Sequence, residues 1–312
     1  MQLIVHHWDT DGITSTALLV RALKLEEFTN MAAPIGEFRF DDRIWRAIER
    51  AERLYVLDFN VPDEAEKVKV PTLFIDHHSQ PKIENPLVEQ VNPSLEGNHY
   101  PSCSLVVSER FNLFNPWTAL GAIGDLGERA FELEWVGKLI EKEGLSKEEA
   151  LKLVELIDSN YIVMDREGVE EAVKVLLNNP LRKLLDYEPW VRKVEVINES
   201  IEEALSGVEE REGFAFVRFK SPHNIISKVA RKLVWERGYP GAVVINENFH
   251  GRAQLYFRLS SEEAERFNLP EIIELVKKTG VNAGGKREVL GCVCERGKVE
   301  EVLRLIESQL GW

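Results

Sequence analysis

The segment His7-Trp8-Asp9-Thr10-Asp11-Gly12 sets one imidazole and two carboxylates at alternate positions of a short stretch. Alternate side chains of an extended chain face the same way, so His7, Asp9 and Asp11 are expected to converge while Trp8 and Thr10 turn away. One imidazole with two carboxylates suits Mn²⁺, and Mg²⁺ less well. A plainer reading is a strand-end loop whose Asp caps the next helix. Gly12 permits the turn into that helix. His6, on the opposite face, reads as structural.

Three further places offer the same kind of chemistry. Asp58 follows the apolar run Leu54–Leu57, and Asp76-His77-His78 follows Thr72–Ile75. Packing alone does not ask for three consecutive ionisable residues at a buried strand end. In Gly121-Ala122-Ile123-Gly124-Asp125, small residues let the backbone approach closely before a carboxylate is presented, and Asp125 is expected in a loop. The chain has 42 Glu but 11 Asp, and five of those Asp lie in these four places. Where Glu is the default surface acid, an Asp at a strand end needs its own explanation.

Residues 2–6, 54–57 and 72–75 are continuous apolar runs, as in a parallel sheet covered on both faces. The first is followed by a helical pattern through Leu18, Leu19 and Leu23. Functional loops of such sheets lie at the carboxyl ends of the strands, where these acidic clusters fall. The fold class expected is α/β. Residues 1–186 form a parallel-sheet domain that includes a helical region from about Glu134. Residues 187–210 form a linker helix, and 211–312 a smaller α/β domain. In the last of these, FAFVRF, GAVVIN, AQLYFRL and CVC are expected strands. Pro222–Trp235 is an expected helix, and NAGGKREVLG an expected loop.

The 312 residues suffice for one large domain or two ordinary ones. No apolar stretch approaches the roughly 20 residues that span a bilayer. The N-terminus has neither a basic region nor a cleavage site of a secretory signal. Three cysteines, with Cys292 and Cys294 two apart in an expected strand, suit neither a disulfide framework nor a zinc knuckle. The expected location is therefore the cytoplasm. Abundant Glu, Lys and Arg with five Gln resemble the balance of heat-adapted proteins. The net charge of −14 is uneven: residues 207–312 carry 17 Lys and Arg against 15 Glu, so the remainder holds a net −16. A negative domain beside a mildly positive one suits metal binding in the first and phosphate binding in the second.

Taken in order, His-x-Asp-x-Asp-Gly, a lone strand-end Asp, Asp-His-His and a late Gly-x-x-x-Asp resemble the four motifs of the DHH phosphoesterase superfamily. Residues 213–312 resemble the DHHA1 substrate-binding domain of its RecJ-like branch, which includes archaeal single-strand exonucleases. The resemblance implies a DHH catalytic domain and two Mn²⁺, with Mg²⁺ or Co²⁺ as substitutes. It implies that His7, Asp9 and Asp58 hold one ion, and Asp11, Asp58, His77 and Asp125 the other. Asp58 would bridge, Asp76 would orient the neighbouring imidazole, and His78 would contact the scissile phosphate or leaving oxygen. Arg258 and Gly284-Gly285-Lys286 resemble phosphate-gripping positions, although the family more often has His where this chain has Lys286. His223 and Asn224 read as a helix cap or a substrate contact. Phe249, Tyr256 and Phe257 read as core or as base-stacking groups.

The implied function is hydrolysis of single-stranded DNA or RNA from an end held between the two domains, 3′→5′ by the resemblance. A repair helicase is the protein partner it suggests, self-association stays open, and no membrane is involved. A second reading is a phosphodiesterase or phosphatase for di- to tetranucleotides, cyclic dinucleotides or adenosine 3′,5′-bisphosphate, toward which the chain length leans. A third is a scaffold that has lost catalysis, against which the intact ligand set argues. A pyrophosphatase of the superfamily has wider His-to-Asp spacing in its first motif, and a basic cluster that is missing here.

Overall fold

The computed structural model describes residues 1–310, which divide into two compact units. The first holds residues 1–161 and 165–194, the second 162–164 and 195 onward.

The first unit is built on five parallel strands: β1 (Gln2–His6), β2 (Thr29–Ala32), β3 (Arg53–Leu57), β4 (Thr72–Ile75) and β5 (Val88–Val91), in the order β2-β1-β3-β4-β5. Its helices are α1 (Thr10–Leu23), α2 (Asp42–Ile48), α3 (Pro62–Ala65), α4 (Cys103–Phe111), α5 (Pro116–Leu126), α6 (Glu134–Lys142), α7 (Lys147–Ile162), α8 (Arg166–Asn178) and α9 (Leu181–Leu184). Every residue of α1 from Thr10 to Val20 is buried, between the sheet and helices α4, α5 and α8. A helix buried all round belongs at the centre of a core, and its N-terminus is thereby fixed at the carboxyl end of β1.

Asp125 lies on α5, not in a loop. Asn115 caps this helix through a reciprocal bond with Thr118, Pro116 occupies its first turn, and residues 117–123 are buried. Burial and capping thus override the low helix propensity of Gly121 and Gly124.

Helix α10 (Glu188–Ser206) leads into the second unit. This contains β6 (Glu209–Arg211), β7 (Phe214–Phe219), α11 (Ile226–Arg231), β8 (Gly241–Phe249), β9 (Arg252–Leu259), α12 (Leu269–Lys278), β10 (Asn282–Lys286), β11 (Val289–Cys294) and α13 (Val299–Leu310). The strands form one mixed sheet, β10-β11-β9-β8-β7-β6, in which only β7 and β8 run parallel among the described residues. One face buries Phe257, Leu290, Cys292 and Val243 with α12 and α13. Cys103, Cys292 and Cys294 are free and buried. No described helix is long and apolar enough to cross a membrane.

Two expectations for this unit change. The helix expected over Pro222–Trp235 begins at Ile226 and passes into a π-helical turn, Lys232–Glu236. Before it, Ser221 is tied to Asn246 by bonds in both directions (3.1 and 2.8 Å), which holds the entering segment out of helical form. Asn282–Lys286, expected as a loop, is the edge strand β10, joined to β11 by the two-residue turn Arg287-Glu288. Gly285 is required there by space, since a Cβ would sit 1.9 Å from the Val289 carbonyl.

Candidate metal centre

β3 is the middle strand of the parallel sheet, and β1, β3 and β4 each end in a candidate ligand group. The backbone ladder continues through these residues. His7 N–H donates to the Leu57 carbonyl (3.2 Å), Asp58 N–H to that of Ile75 (3.0 Å), and Asp76 N–H to that of Val91 (3.2 Å). The separation of the groups is therefore set by the strand spacing of about 4.8 Å. Asp58 turns the chain out of β3 in the left-handed region (φ 55°), a conformation that Asp tolerates better than most residues.

Asp58 is buried and faces an imidazole with each oxygen, with that of His78 a third at 3.8 Å from Oδ1. Its Oδ2 lies 3.7 Å from His7 Nδ1, and its Oδ1 lies 3.5 Å from His77 Nε2. His7 Nδ1 is also 2.7 Å from Asp9 Oδ2, and His77 Nε2 is 3.2 Å from Asp125 Oδ2. The donors fall into overlapping groups whose atoms lie within 4.8 Å of one another: His7, Asp9 and Asp58; Asp11, His77 and Asp125; Asp58, Asp76, His77 and His78.

Asp11 does not join His7 and Asp9 by strand alternation. The helix begins at Thr10, with Asp9 as its cap accepting from Gly12 N–H (3.1 Å), so the extended geometry stops at Asp9. Asp11, in the first turn, instead joins His77 and Asp125. Its two oxygens accept the N–H groups of Cys103 (2.6 Å) and Ser104 (2.9 Å) at the start of α4. α5 leaves room for this carboxylate by having no side chain at Gly121: a Cβ there would sit 2.3 Å from Asp11 Oδ1.

His77 is oriented through Nδ1, 3.0 Å from the Tyr100 carbonyl, which turns Nε2 toward the carboxylates. Asp76 Oδ1 accepts the His77 N–H (2.7 Å) and the His78 N–H (3.2 Å), and lies 2.8 Å from His78 Nδ1. The imidazole that Asp76 holds is therefore that of His78. The His78 side chain is 44% exposed, so a ring held at Nδ1 still reaches solvent. His6 is buried beside Asn30, and burial lowers its pKa to about 4, in keeping with a structural part.

The cluster carries more negative charge than its surroundings tolerate. Burial pushes Asp11 up to about 7, reinforced by the charge of Asp125. Burial likewise raises Asp58, followed by repulsion from Asp11 and Asp9. Burial opposes charge on His77, yet the facing carboxylates of Asp125 and Asp11 raise it to about 9. Burial opposes charge on Asp9, yet attraction to His7 together with the Gly12 N–H holds it near 2. His7 Nδ1, His77 Nε2, Asp58 Oδ1 and Asp76 Oδ2 are all buried without a hydrogen-bond partner among the described residues. The 2.7 Å approach of His7 Nδ1 to Asp9 lacks hydrogen-bond geometry. Buried polar atoms require a partner. Imidazole nitrogens and carboxylate oxygens converging on shared points fit divalent cations.

In the second unit, Arg258 is buried with its guanidinium 4.3 Å from the centre of the Trp235 ring, and its Nε has no hydrogen-bond partner among the described residues. Arg258 pairs with Val289, and Val289 with Lys286, so Arg258 and Lys286 share one face of the sheet roughly 10 Å apart. Gly284 pairs through Gly291 with Tyr256 on that face. Phe257 lies on the other face, in the core. His223 does not cap α11, whose N-cap is Ile225. It lines a cavity of about 470 Å³ with Arg218, Lys220 and Glu247, and its Nδ1 is unpartnered among the described residues.

Residues 2–125 match the DHH family, N-terminal domain. No curated protein sequence matches the chain. Among solved structures, it is similar to a DHH domain described as a member of a family of ribosomal proteins (TM-score 0.73, 17% identity, 99% of this chain and 86% of that one). It is similar also to the exonuclease RecJ bound to manganese (0.65, 17%, 98% and 89%). A third is the pGpG-specific phosphodiesterase PggH from Vibrio cholerae (0.54, 13%, 99% and 98%). At such identities the likeness is one of fold.

Proposed function

We propose, from the match of residues 2–125 to the DHH family, N-terminal domain, that this chain is a metal-dependent phosphodiester hydrolase. Its substrate is single-stranded nucleic acid, cut from an end in the 3′→5′ direction, with Mn²⁺ as the working ion. The observation that carries this reading is the sharing of Asp58 between two His/Asp groups whose inward atoms lack partners among the described residues.

His7, Asp9 and Asp58 would hold one cation; Asp11, Asp58, His77 and Asp125 would hold the other. Bound divalent ions supply Lewis acidity toward a phosphoryl oxygen and lower the pKa of water. The chain's own residues do the rest. The α4 amides fix Asp11, the Tyr100 carbonyl fixes His77, and Asp76 fixes His78. His78, partly exposed beside the ligands, is placed to donate a hydrogen bond to a phosphate or leaving oxygen. Arg258, Lys286 and the Gly284-Gly285 edge form a phosphate-gripping face, with His223 a further contact. Residues 1–186 would be the catalytic part, 187–210 the linker and 211–312 the substrate-binding part. A repair helicase is the protein partner that fits the role.

The test is hydrolysis of end-labelled oligonucleotides of 2 to 40 nucleotides, DNA and RNA, with Mn²⁺ and with EDTA. Asp58→Asn should bind less metal and lose activity at least about a thousandfold while keeping its circular dichroism. Unchanged turnover in metal-free Asp58→Asn would end the proposal. A 5′-labelled strand should give a ladder, whereas immediate release of a labelled mononucleotide would mean 5′→3′ digestion. A second reading, hydrolysis of dinucleotides, is favoured by the likeness to a pGpG phosphodiesterase over nearly the whole of both chains. Activity confined to the shortest substrates would select it.

A further inference from the structure

Phe38 is 59% exposed, yet its ring belongs to a cluster beside the candidate ligands. It stacks on Phe59 (5.8 Å, 25°) and on His7 (5.9 Å, 26°), and meets Trp8 edge-on (5.5 Å). Phe59 directly follows Asp58, and His7 is itself a candidate ligand. Both Phe59 and Trp8 are buried, so Phe38 is the open end of this aromatic stack.

The segment that carries Phe38 is held at both ends. Arg166 donates from Nε (2.9 Å) and Nη2 (2.7 Å) to the Ala32 carbonyl and from Nη1 to the Asp41 carboxylate. Between these anchors Gly36 turns the chain at φ 82°, and Phe40 is buried against Trp45 and Phe59. Glu37 and Arg39 pair with each other (2.6 Å) on either side of Phe38 in sequence. A clamped segment thus displays an aromatic ring next to the buried acids. Single exposed apolar residues are ordinary. What sets Phe38 apart is a ring nearly parallel to that of a candidate ligand and a supporting segment tied down at each end.

We propose that Phe38 is the stacking platform for the nucleobase adjoining the scissile phosphate. This rests on the phosphodiester reading above. A π-face accepts any base, so the platform favours a base over none and a larger base over a smaller one, without reading sequence. The enzyme would then require a nucleobase next to the cut, beyond any phosphodiester backbone.

The test uses the full chain and single-stranded 12-mers carrying, at both termini, either 2-aminopurine nucleotides or abasic tetrahydrofuran nucleotides. With Mn²⁺, wild type should cleave the base-bearing strand with kcat/KM roughly 10- to 100-fold above the abasic one, the size of one base–aromatic stack. Phe38→Ala should abolish that preference, and Phe38→Trp should restore it. In EDTA, binding should quench 2-aminopurine fluorescence in wild type and in Phe38→Trp but much less in Phe38→Ala. An equal loss on both strands, or the same quench in Phe38→Ala, overturns the proposal. If wild type cleaves neither strand, the hydrolase reading falls, and the quench alone decides the stacking site.

Discussion

Thr10 gives both its backbone N–H (2.9 Å) and its hydroxyl (2.7 Å) to one oxygen of Asp158, 148 residues further along the chain. Thr10 is the residue between Asp9 and Asp11, so an acid on α7 holds the turn that presents two candidate ligands. Asp158→Ala strands the Thr10 amide, leaves the hydroxyl only the Val154 carbonyl (3.5 Å), and should cost about 1–3 kcal/mol in urea unfolding. Turnover should fall roughly tenfold or more through misplacement of the ligands. Asp158→Asn keeps an accepting oxygen and should retain most of both. Equal behaviour of the two variants would show that the bond does not position the site.

Gly121→Ala tests the space left for Asp11. The new Cβ would sit 2.2 Å from Ser104 Oγ and 2.3 Å from Asp11 Oδ1, so the carboxylate must move. Displacing a group of this kind costs roughly 10- to 100-fold in metal affinity, and Mn²⁺ titration by calorimetry should show it for one of two sites. Gly137→Ala, on α6 with open space around it, is the control and should leave metal binding unchanged. Equal Mn²⁺ affinity in both variants would mean that the helix adjusts without moving Asp11.

The metal-free protein should lose stability as pH rises from about 4 to 9. Folding raises Asp11 from 3.8 to about 7 and His77 from 6.5 to about 9. The folded chain therefore holds more protons than the unfolded one across that window. The stability these groups confer is complete below the unfolded values and fades as pH passes the folded ones. Asp9 acts in the opposite sense: lowered to about 2, it contributes above 3.8 and is lost as pH falls through 2. Cations displace the extra protons, so the rise in Tm on adding Mn²⁺ should grow with pH, by about 5–10 °C between pH 5 and 8. Differential scanning calorimetry in EDTA and in Mn²⁺ measures this. A Tm gain that is flat with pH would contradict the proton inventory.

Arg258→Ala and Lys286→Ala should both raise KM and leave metal content unchanged. Arg258, buried under Trp235, should cost the more, on the order of 10- to 100-fold. Lys286, exposed at the edge of β10, should cost a few-fold. Steady-state kinetics with metal analysis separates the effects. Unaltered KM in the double variant would mean that this face does not touch substrate.

Much of the first unit was legible because β1, β3 and β4 are buried on both faces and read as unbroken apolar runs. The edge strands β2 (TNMA) and β5 (VEQV) are short and half polar, and carry no such signal. The Gly-x-x-x-Asp segment reads as a loop by composition, yet packing against α1 makes it helix. Gly284-Gly285 reads likewise, yet pairs as an edge strand. The partners of Asp11 and His77 are backbone groups of Cys103, Ser104 and Tyr100, which no residue type announces. Asp158 did leave a trace: in a chain so poor in Asp, one within a Glu-rich helix asks for a reason.

The hydrogen-bond ladder that runs through His7, Asp58 and Asp76 fixes the backbone spacing beneath two of the proposed ligands, His7 and Asp58. A side chain on a loop can back away from a larger ion by changing rotamer. Here the main chain beneath each group is bonded to the next strand, and widening the gap means breaking the ladder. Ca²⁺ takes ligands at about 2.3–2.6 Å and Mg²⁺ at about 2.0–2.1 Å, a difference that flexible sites absorb. The pair His7 and Asp58 would then resist spreading for a larger ion, while Asp9, Asp11 and Asp125, presented by helices, would make what adjustment there is.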